Sequence, residues 1–108
     1  MSYSTDYLTI DPTRAEVGAM AGATLLEFGN PWCGHCRRAI SAIRQALDTH
    51  PNVRHIKIAD ASGKRLGRSF HVKLWPTLIF LKDGAEITRL VRPASVQDIE
   101  KALGTVEA

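Results

Sequence analysis

Apolar and polar positions repeat with two different periods along this chain, one typical of helices and one typical of strands. The clearest helical segment runs from about Cys33 to Thr49, because its apolar residues fall at offsets of 4, 3 and 4 and so share one face. These apolar residues are Cys36, Ile40, Ile43 and Leu47. Three arginines lie off that face and are expected to point to water: Arg37, Arg38 and Arg44.

Compact runs of branched and aromatic residues predict the strands. They span Thr24–Phe28, Val53–Ala59, Thr77–Leu81 and Glu86–Val91, and a short extended piece at Tyr7–Ile10 precedes them. The last two runs are joined by a turn that contains Asp83-Gly84, which is typical of a β-hairpin. The first run is almost continuously apolar, so we expect it to be a buried central strand.

Helical segments fill the intervals between the strands. Besides the helix at 33–49, the pattern predicts helices over about Pro12–Ala21, Ser62–Phe70 and Ser95–Leu103. Asp11 before Pro12 is typical of a helix start, and Ser95 with a carboxylate three residues later resembles a capping box. Strands that alternate with helices require parallel crossovers, whereas the closing hairpin adds antiparallel pairing. The sequence therefore predicts an α/β fold with a mixed central sheet and helices on both faces.

Length and charge narrow the functional classes. A chain of 108 residues has the size of one ordinary domain, so residues 1–108 are expected to form a single domain. The 14 basic and 11 acidic residues give a net charge of +3 without a basic run or a nucleic-acid-binding motif, so no nucleic-acid partner is expected. The N-terminal residues lack the basic start and continuous apolar core of a signal peptide, and no apolar run reaches membrane-spanning length. We expect a cytoplasmic monomer without membrane association, although an exported mature domain would have the same pattern.

Cysteine usage is the strongest functional signal. Cys33 and Cys36 are the only cysteines in the chain, and in a reducing compartment such a pair is more often catalytic or metal-binding than structural. Two thiols cannot complete a structural zinc site, and His35 between them is poorly placed to ligate together with both. Neither a metal nor a cofactor is therefore expected. A metal cluster shared between two chains is the alternative.

The start of a predicted helix gives the two thiols different roles. Cys33 would lie beside unpaired backbone N–H groups and the positive end of the helix dipole, both of which favour the thiolate. A protonated His35 would act in the same direction, so Cys33 is expected to be the attacking sulfur. Cys36 lies one turn further along nearly the same side of the helix, within bonding reach, and is expected to be the resolving thiol.

Two segments resemble landmarks of the thioredoxin family. The segment Glu27–Arg37 resembles the thioredoxin active-site segment, and its Cys-Gly-His-Cys core is the variant found in protein disulfide isomerase domains. The segment Phe70–Thr77 resembles the family's second landmark, a loop whose proline, here Pro76, is cis and faces the disulfide. The resemblance covers essentially the whole chain. It implies a thioredoxin-like fold and a thiol-disulfide oxidoreductase.

The resemblance also implies roles for individual residues. The backbone of Trp75 would pair with an extended substrate segment, while Pro76, which has no N–H, would leave the nearby sulfurs free to react. The alternative is that Pro76 is an ordinary trans proline before an edge strand. Glu27 stands at the position of the family's buried acid, which relays a proton to and from the resolving cysteine. Alternatively, Glu27 merely finds a partner at the edge of the core, for which Lys57 is the candidate. The expected substrate-binding residues are Trp32, Gly34, Trp75 and Thr77, with packing as the alternative for the two tryptophans.

Three departures from the thioredoxin pattern bear on the substrate range. Gly29 replaces a bulky aromatic residue and is expected to leave space beside the active site. Trp75 replaces a smaller aliphatic residue, and Arg92-Pro93 stands where the family commonly has a glycine that lets the substrate backbone come close. The remaining histidines have no catalytic partner at a readable spacing and are expected at the surface or in loops; they are His50, His55 and His71.

The leading hypothesis is a protein disulfide reductase or isomerase-like enzyme, active in electron transport and cell redox homeostasis through its cysteine pair alone. Histidine in the central dipeptide is expected to stabilise the reduced thiolate more than proline does, which would make the protein a better oxidant than thioredoxin. The expected partners are protein disulfides and an electron donor, either a thioredoxin reductase or glutathione. One alternative is a redox-responsive binding module for a dedicated partner. A glutaredoxin-like activity is another, although the usual Pro-Tyr dipeptide is absent.

Overall fold

The computed structural model describes residues 3–93 and 95–107 of the chain. The helices and strands of this part are α1 (Arg14–Gly18), β1 (Ala23–Gly29), α2 (Gly34–Asp48), β2 (Arg54–Ala59), α3 (Arg65–Ser69), β3 (Thr77–Lys82), β4 (Ala85–Val91) and α4 (Val96–Glu107). No helix within these residues combines the length and the apolar character that crossing a membrane requires.

The four strands form one mixed sheet in the order β2-β1-β3-β4. β1 pairs parallel with β2 and antiparallel with β3, and β3 pairs antiparallel with β4. β1 is therefore an inner strand, and all of its residues except Ala23 are buried. Burial on both faces explains its almost continuous apolar run. The predicted fold class, a mixed sheet flanked by helices, is confirmed.

Each face of the sheet carries its own hydrophobic core. Leu25 packs with residues of α2 and α4 in one core, whereas Leu26 and Phe28 pack with residues of α1 and α3 in the other. Side chains along a strand alternate between the two faces, so Glu27 shares the face of Leu25. The carboxylate of β1 therefore lies on the side of the sheet that is covered by α2, the helix that begins at the cysteines.

The hairpin turn is held against the end of the first helix. Asp83 and Gly84 both have positive φ, 49° and 80°, which is the combination that a tight two-residue hairpin turn requires. The Gly22 N–H donates to the Asp83 carboxylate at 2.7 Å, and the Asp83 N–H donates to the Gly22 carbonyl at 2.9 Å. A Cβ at Gly84 would overlap the carbonyl of Gly18. Glycine is therefore needed here for its backbone conformation and for the close approach.

The first helix differs from the prediction in its start and its length. Its N-cap is Thr13, whose hydroxyl accepts a hydrogen bond from the Glu16 N–H while the Glu16 carboxylate accepts one from the Thr13 N–H. Asp11, the predicted cap, instead pairs with Lys64 at 3.2 Å. The reciprocal capping box prevails because it satisfies two N–H groups, whereas a single cap satisfies one. α1 is accordingly shorter than the predicted helix over Pro12–Ala21.

Other element bounds also differ from those predicted. Tyr7 pairs with Lys57 in an isolated parallel bridge instead of opening an extended strand over Tyr7–Ile10. α3 covers only the later part of the predicted helix at 62–70. α4 continues past Leu103 because Val106 is buried and extends the apolar face of the helix.

Candidate active site

Both cysteines lie at the N-terminus of α2 as free thiols. Cys33 is the N-cap residue, and its sulfur accepts a hydrogen bond from the Cys36 N–H at 3.3 Å. Cys33 is partly exposed, whereas Cys36 is only 2% exposed. The arrangement offers one sulfur to a substrate and keeps the second behind it. Within residues 3–93 and 95–107, no three His, Cys, Asp or Glu side chains lie close enough together to hold a metal ion.

The surroundings of the two sulfurs separate their ionisation. Burial opposes ionisation of Cys33, yet the pKa of Cys33 is lowered because the thiol and the backbone N–H of Cys36 both donate to its sulfur. The backbone N–H of His35 and the charge of Arg92 add to this lowering of the pKa. Burial, followed by donation of its proton to Cys33, raises the pKa of Cys36 to about 12. Ionisation is therefore favoured at Cys33, with Cys36 as the thiol that donates to it.

The cation beside Cys33 is Arg92 and not a protonated His35. The charge of Arg92, together with some desolvation and the charge of Arg38, lowers the pKa of His35 below its ordinary value. Nη2 of Arg38 lies 3.2 Å from Nδ1 of His35, and because a guanidinium only donates, Nδ1 is the acceptor and carries no proton. The imidazole is thus neutral near neutral pH. The stabilisation expected from a protonated His35 is supplied instead by Arg92.

The loop before β3 faces the cysteines. The Trp75–Pro76 peptide bond is cis, and the Cys33 sulfur lies 3.8 Å from the Trp75 carbonyl oxygen. Arg92 contacts this loop twice, because its N–H donates to the Pro76 carbonyl and its Nε donates to the Trp75 carbonyl, each at 2.9 Å. The alternative of a trans proline before an edge strand is wrong, since β3 lies inside the sheet.

Exposed side chains flank the cysteines on two segments. Trp32 precedes Cys33 and is 81% exposed, and Leu74, two residues before Pro76, is 48% exposed. Gly34 is exposed as well. Sequence reasoning singled out Trp32 and Gly34 but missed Leu74, because a leucine carries no functional signal until the fold brings its loop beside the thiols. These residues form a surface on which a polypeptide could lie.

The side chains of Trp75 and Thr77, both predicted to bind substrate, hold the loop in place. Trp75 is partly buried, and its indole N–H donates to the Asp60 carboxylate at 3.0 Å. Thr77 is buried, and its hydroxyl donates to the Leu74 carbonyl at 2.6 Å. Because both polar groups are engaged within the protein, binding by this loop would depend on its backbone.

Glu27 is 1% exposed, and its partner is His55 instead of Lys57. Nε2 of His55 lies 2.8 Å from Oε1 of Glu27, with both side chains buried. The Ser4 N–H donates to Nδ1 of His55 at 2.8 Å, so the ring proton is on Nε2 and is donated to the carboxylate. Nζ of Lys57 instead donates to the Thr5 carbonyl at 3.3 Å.

The expectation that His55 lies at the surface or in a loop is therefore wrong. β2 places His55 and Lys57 on one face, and their pairing with β1 makes this the face of Glu27. Residues near the N-terminus cover that face, with the Tyr3 ring centroid 5.1 Å from that of the imidazole. The alternation of side chains along β2 could have identified both His55 and Lys57 as candidate partners of Glu27. It could not choose between them, because the choice depends on Ser4, which is 51 positions from His55.

The space predicted beside the active site at Gly29 is occupied by the Cys36 sulfur, with the Tyr7 hydroxyl next to it. A Cβ at Gly29 would lie 2.6 Å from the Cys36 sulfur and 3.4 Å from the Tyr7 hydroxyl, so any side chain there would displace the sulfur. Burial, with the charges of Glu27 and Cys36, raises the pKa of Tyr7 above its usual range. Its hydroxyl thus keeps its proton. An open cleft of about 360 Å³ runs past Tyr7, Cys36 and Lys57.

The chain is similar to known proteins over most of its length. The family model for thioredoxin matches residues 7–105. The chain belongs to the thioredoxin family. Thioredoxin 2 from Pseudomonas aeruginosa, solved in its reduced form, is similar with a TM-score of 0.83 and 45% sequence identity, over 95% of this chain and 99% of that one. This thioredoxin-family protein is a thiol-disulfide oxidoreductase with a closely spaced cysteine pair.

Curated relatives include proteins of different length. A thioredoxin from Chlamydia trachomatis is 32% identical over 71 residues, which are 66% of this chain and 70% of the relative. A protein disulfide-isomerase from Zea mays is 31% identical over 77 residues, which are 69% of this chain but only 15% of that protein. Both relatives are therefore similar to this chain over about two thirds of its length.

Proposed function

We propose that this thioredoxin-family protein exchanges disulfides with protein substrates, with Cys33 as the attacking sulfur and Cys36 as the resolving sulfur. The observation that carries the proposal is the hydrogen-bonded dithiol at the start of α2, in which the accessible sulfur accepts the Cys36 N–H at 3.3 Å. A thiolate that is both stabilised and accessible is the nucleophile of thiol-disulfide exchange. The buried thiol of Cys36 can then attack the mixed disulfide and release the substrate.

In the reductive direction, the Cys33 thiolate attacks one sulfur of the substrate disulfide and forms a mixed disulfide. The other substrate sulfur leaves as a thiolate and takes up a proton. Cys36 then gives up its proton, for which Glu27 is the proposed acceptor, and attacks the Cys33 sulfur. This step closes the Cys33–Cys36 disulfide and releases the second substrate sulfur as a thiolate, which takes up the proton that Glu27 received. Two electrons and two protons from a thiol donor restore the pair.

The substrate is proposed to lie across the exposed surface formed by Trp32, Gly34 and Leu74, beside Pro76. The carbonyl of Trp75 already accepts a hydrogen bond from Arg92 at 2.9 Å. An extended substrate segment would therefore pair with the N–H of Trp75, in the manner of a short β-ladder. Main-chain pairing of this kind tolerates many substrate sequences.

The lowered pKa of Cys33 supports an isomerase-like protein that is more oxidising than thioredoxin, because a stabilised thiolate favours the reduced form. We expect an ultraviolet absorbance titration of the reduced protein to show one thiolate forming below the range of free cysteine, and the second only near pH 12. Because the pKa of Cys33 is lowered, its thiolate persists as the pH falls until that pKa is passed. The oxidised protein is the control, since it removes thiolate absorbance and retains that of tyrosine. A Cys33 pKa at or above that of free cysteine would contradict the oxidising assignment.

Turnover separates an enzyme from a redox-responsive binding module. Catalytic amounts of the protein are expected to accelerate the reduction of insulin disulfides by dithiothreitol at least about tenfold over dithiothreitol alone, because Cys33 supplies a stabilised thiolate and Cys36 an intramolecular release step. The turbidity of the released insulin chains measures the rate. Failure to accelerate this reaction would favour a module dedicated to one partner.

We propose that the protein acts in the cytoplasm as a monomer and receives electrons from a thioredoxin reductase or from glutathione. A reducing compartment maintains the dithiol form, in which the Cys33 thiolate exists. Equilibration with glutathione buffers of known ratio gives the potential of the cysteine pair. That potential decides whether reduction or oxidation of substrates is favourable in a given compartment.

A further inference from the structure

A small open cavity beside the attacking sulfur is lined by cationic groups. It has a volume of about 220 Å³, and its walls include His35, Arg38, Arg92 and Pro93. Arg38 and Arg92 are both exposed. The Cys33 sulfur and Nε of Arg92 lie 3.8 and 2.9 Å from the same Trp75 carbonyl oxygen, so a ligand in this cavity would lie next to a disulfide that Cys33 attacks.

The two guanidinium groups are held in place without being neutralised. Nη2 of Arg38 contacts the His35 ring at 3.2 Å, and Nε of Arg92 donates to the Trp75 carbonyl at 2.9 Å. Both acceptors are neutral groups. Within residues 3–93 and 95–107, neither arginine forms an ion pair with a carboxylate. A guanidinium has five N–H donors, so each arginine retains donors for an anion.

The backbone of Arg92 provides an independent indication. Its φ is 51°, in the left-handed region that favours glycine. A long cationic side chain is therefore kept at a position where glycine would relieve backbone strain. Strain of this kind is commonly found where a side chain serves a ligand or a reaction.

We propose that the cavity between Arg38 and Arg92 binds a carboxylate carried by the disulfide substrate next to its reacting sulfur. This inference rests on the proposed function and names its substrate class, disulfides flanked by acidic groups. Planar guanidinium groups match carboxylate geometry and favour it over a neutral amide of the same shape. The carboxylate could belong to an Asp or Glu side chain of a polypeptide or to glutathione, and both present the same chemistry to the arginines.

The test compares peptide disulfides that differ only by Asp or Asn beside the cysteine, on either side in turn. For the wild-type protein, we expect kcat/KM to be about fivefold higher for the acidic peptide, the scale of an exposed ion pair, and the ratio to shrink as salt is added. In Arg92→Gln the ratio is expected to fall close to one. Each ratio is taken within one variant, so any change in the Cys33 thiolate cancels.

Two further variants complete the design. Arg65→Gln removes an exposed arginine from α3, on the opposite face of the sheet, and is expected to keep the fivefold preference. Arg38→Gln, on the exposed side of α2, is expected to lower the preference and provides a second test if Arg92→Gln folds poorly. A parallel arm compares glutathione disulfide with its carboxyl ester. A preference for the free acid that requires Arg92 would identify glutathione as a carrier of the carboxylate.

The outcomes are distinct. The carboxylate site is overturned if kcat/KM is equal for acidic and neutral substrates in both arms. It is also overturned if the preference for the acidic substrate survives in Arg92→Gln and Arg38→Gln. If the neutral peptide is still turned over in that case, the proposed function of disulfide exchange stands. If none of the disulfides is turned over, the proposed function and the carboxylate site fail together.

Discussion

A Cys33→Ser variant is expected to lose disulfide exchange by more than about a thousandfold, the scale of removing a nucleophile from an enzyme. A serine hydroxyl stays protonated where the Cys33 thiol is ionised, and it cannot form the mixed disulfide through which exchange proceeds. The rate of insulin reduction by dithiothreitol, with and without the variant, measures the loss.

The matched variant is Cys36→Ser, which keeps the attacking sulfur and removes the resolving one. It is expected to accumulate a mixed disulfide between Cys33 and the substrate, because the step that releases the substrate is absent. Mass spectrometry of the protein after incubation with a disulfide peptide would show one added substrate chain. If Cys33→Ser forms the adduct and Cys36→Ser does not, the assigned roles of the two thiols are reversed.

Replacing His55 with leucine is expected to lower the free energy of unfolding by about 3 kcal/mol, the scale of leaving a buried charged acceptor without its hydrogen-bond donor. His55 donates its Nε2–H to Glu27 at 2.8 Å, and both side chains are buried. Without that donor, the Glu27 carboxylate has lost the group that stabilises it away from water. Denaturant unfolding followed by circular dichroism measures the change.

The double variant Glu27→Leu/His55→Leu is the control for this prediction. Removing both polar groups leaves no unpaired carboxylate in the core, so the double variant is expected to unfold with a free energy closer to the wild type than His55→Leu does. A double variant as unstable as the single one would show that His55 contributes through packing and not through its hydrogen bond to Glu27.

The elements around the cysteines were predictable because their signals are local. The apolar stripe that includes Ile43 and Leu47 places α2 between Cys33 and Thr49, which are its caps in the structure. Asp83-Gly84 likewise predicts the hairpin, because the positive φ values that the turn requires depend on two adjacent residues. Helix periodicity and tight turns are determined within short segments, and so a single sequence reveals them.

Contacts between distant segments were not predictable in the same way. Glu27 and His55 are 28 positions apart, and Ser4 and His55 are 51 positions apart. The resemblance indicated that Pro76 would face the thiols, but it did not indicate that Arg92 would contact the adjacent carbonyl. Such contacts depend on strand register and on how loops close over the sheet, and neither of these produces a periodic pattern of residues in the sequence.

The hydrogen bond from the Ser4 N–H to His55 has a practical consequence for protein production. A recombinant version that begins after Ser4 would lack the backbone N–H that donates to Nδ1 of His55. The ring could then carry its hydrogen on either nitrogen, and one of those two tautomers would present a bare lone pair to the Glu27 oxygen. Truncated versions chosen for crystallisation or labelling would therefore differ from the full chain in the interior behind the thiols, although every residue of the Cys-Gly-His-Cys motif is retained.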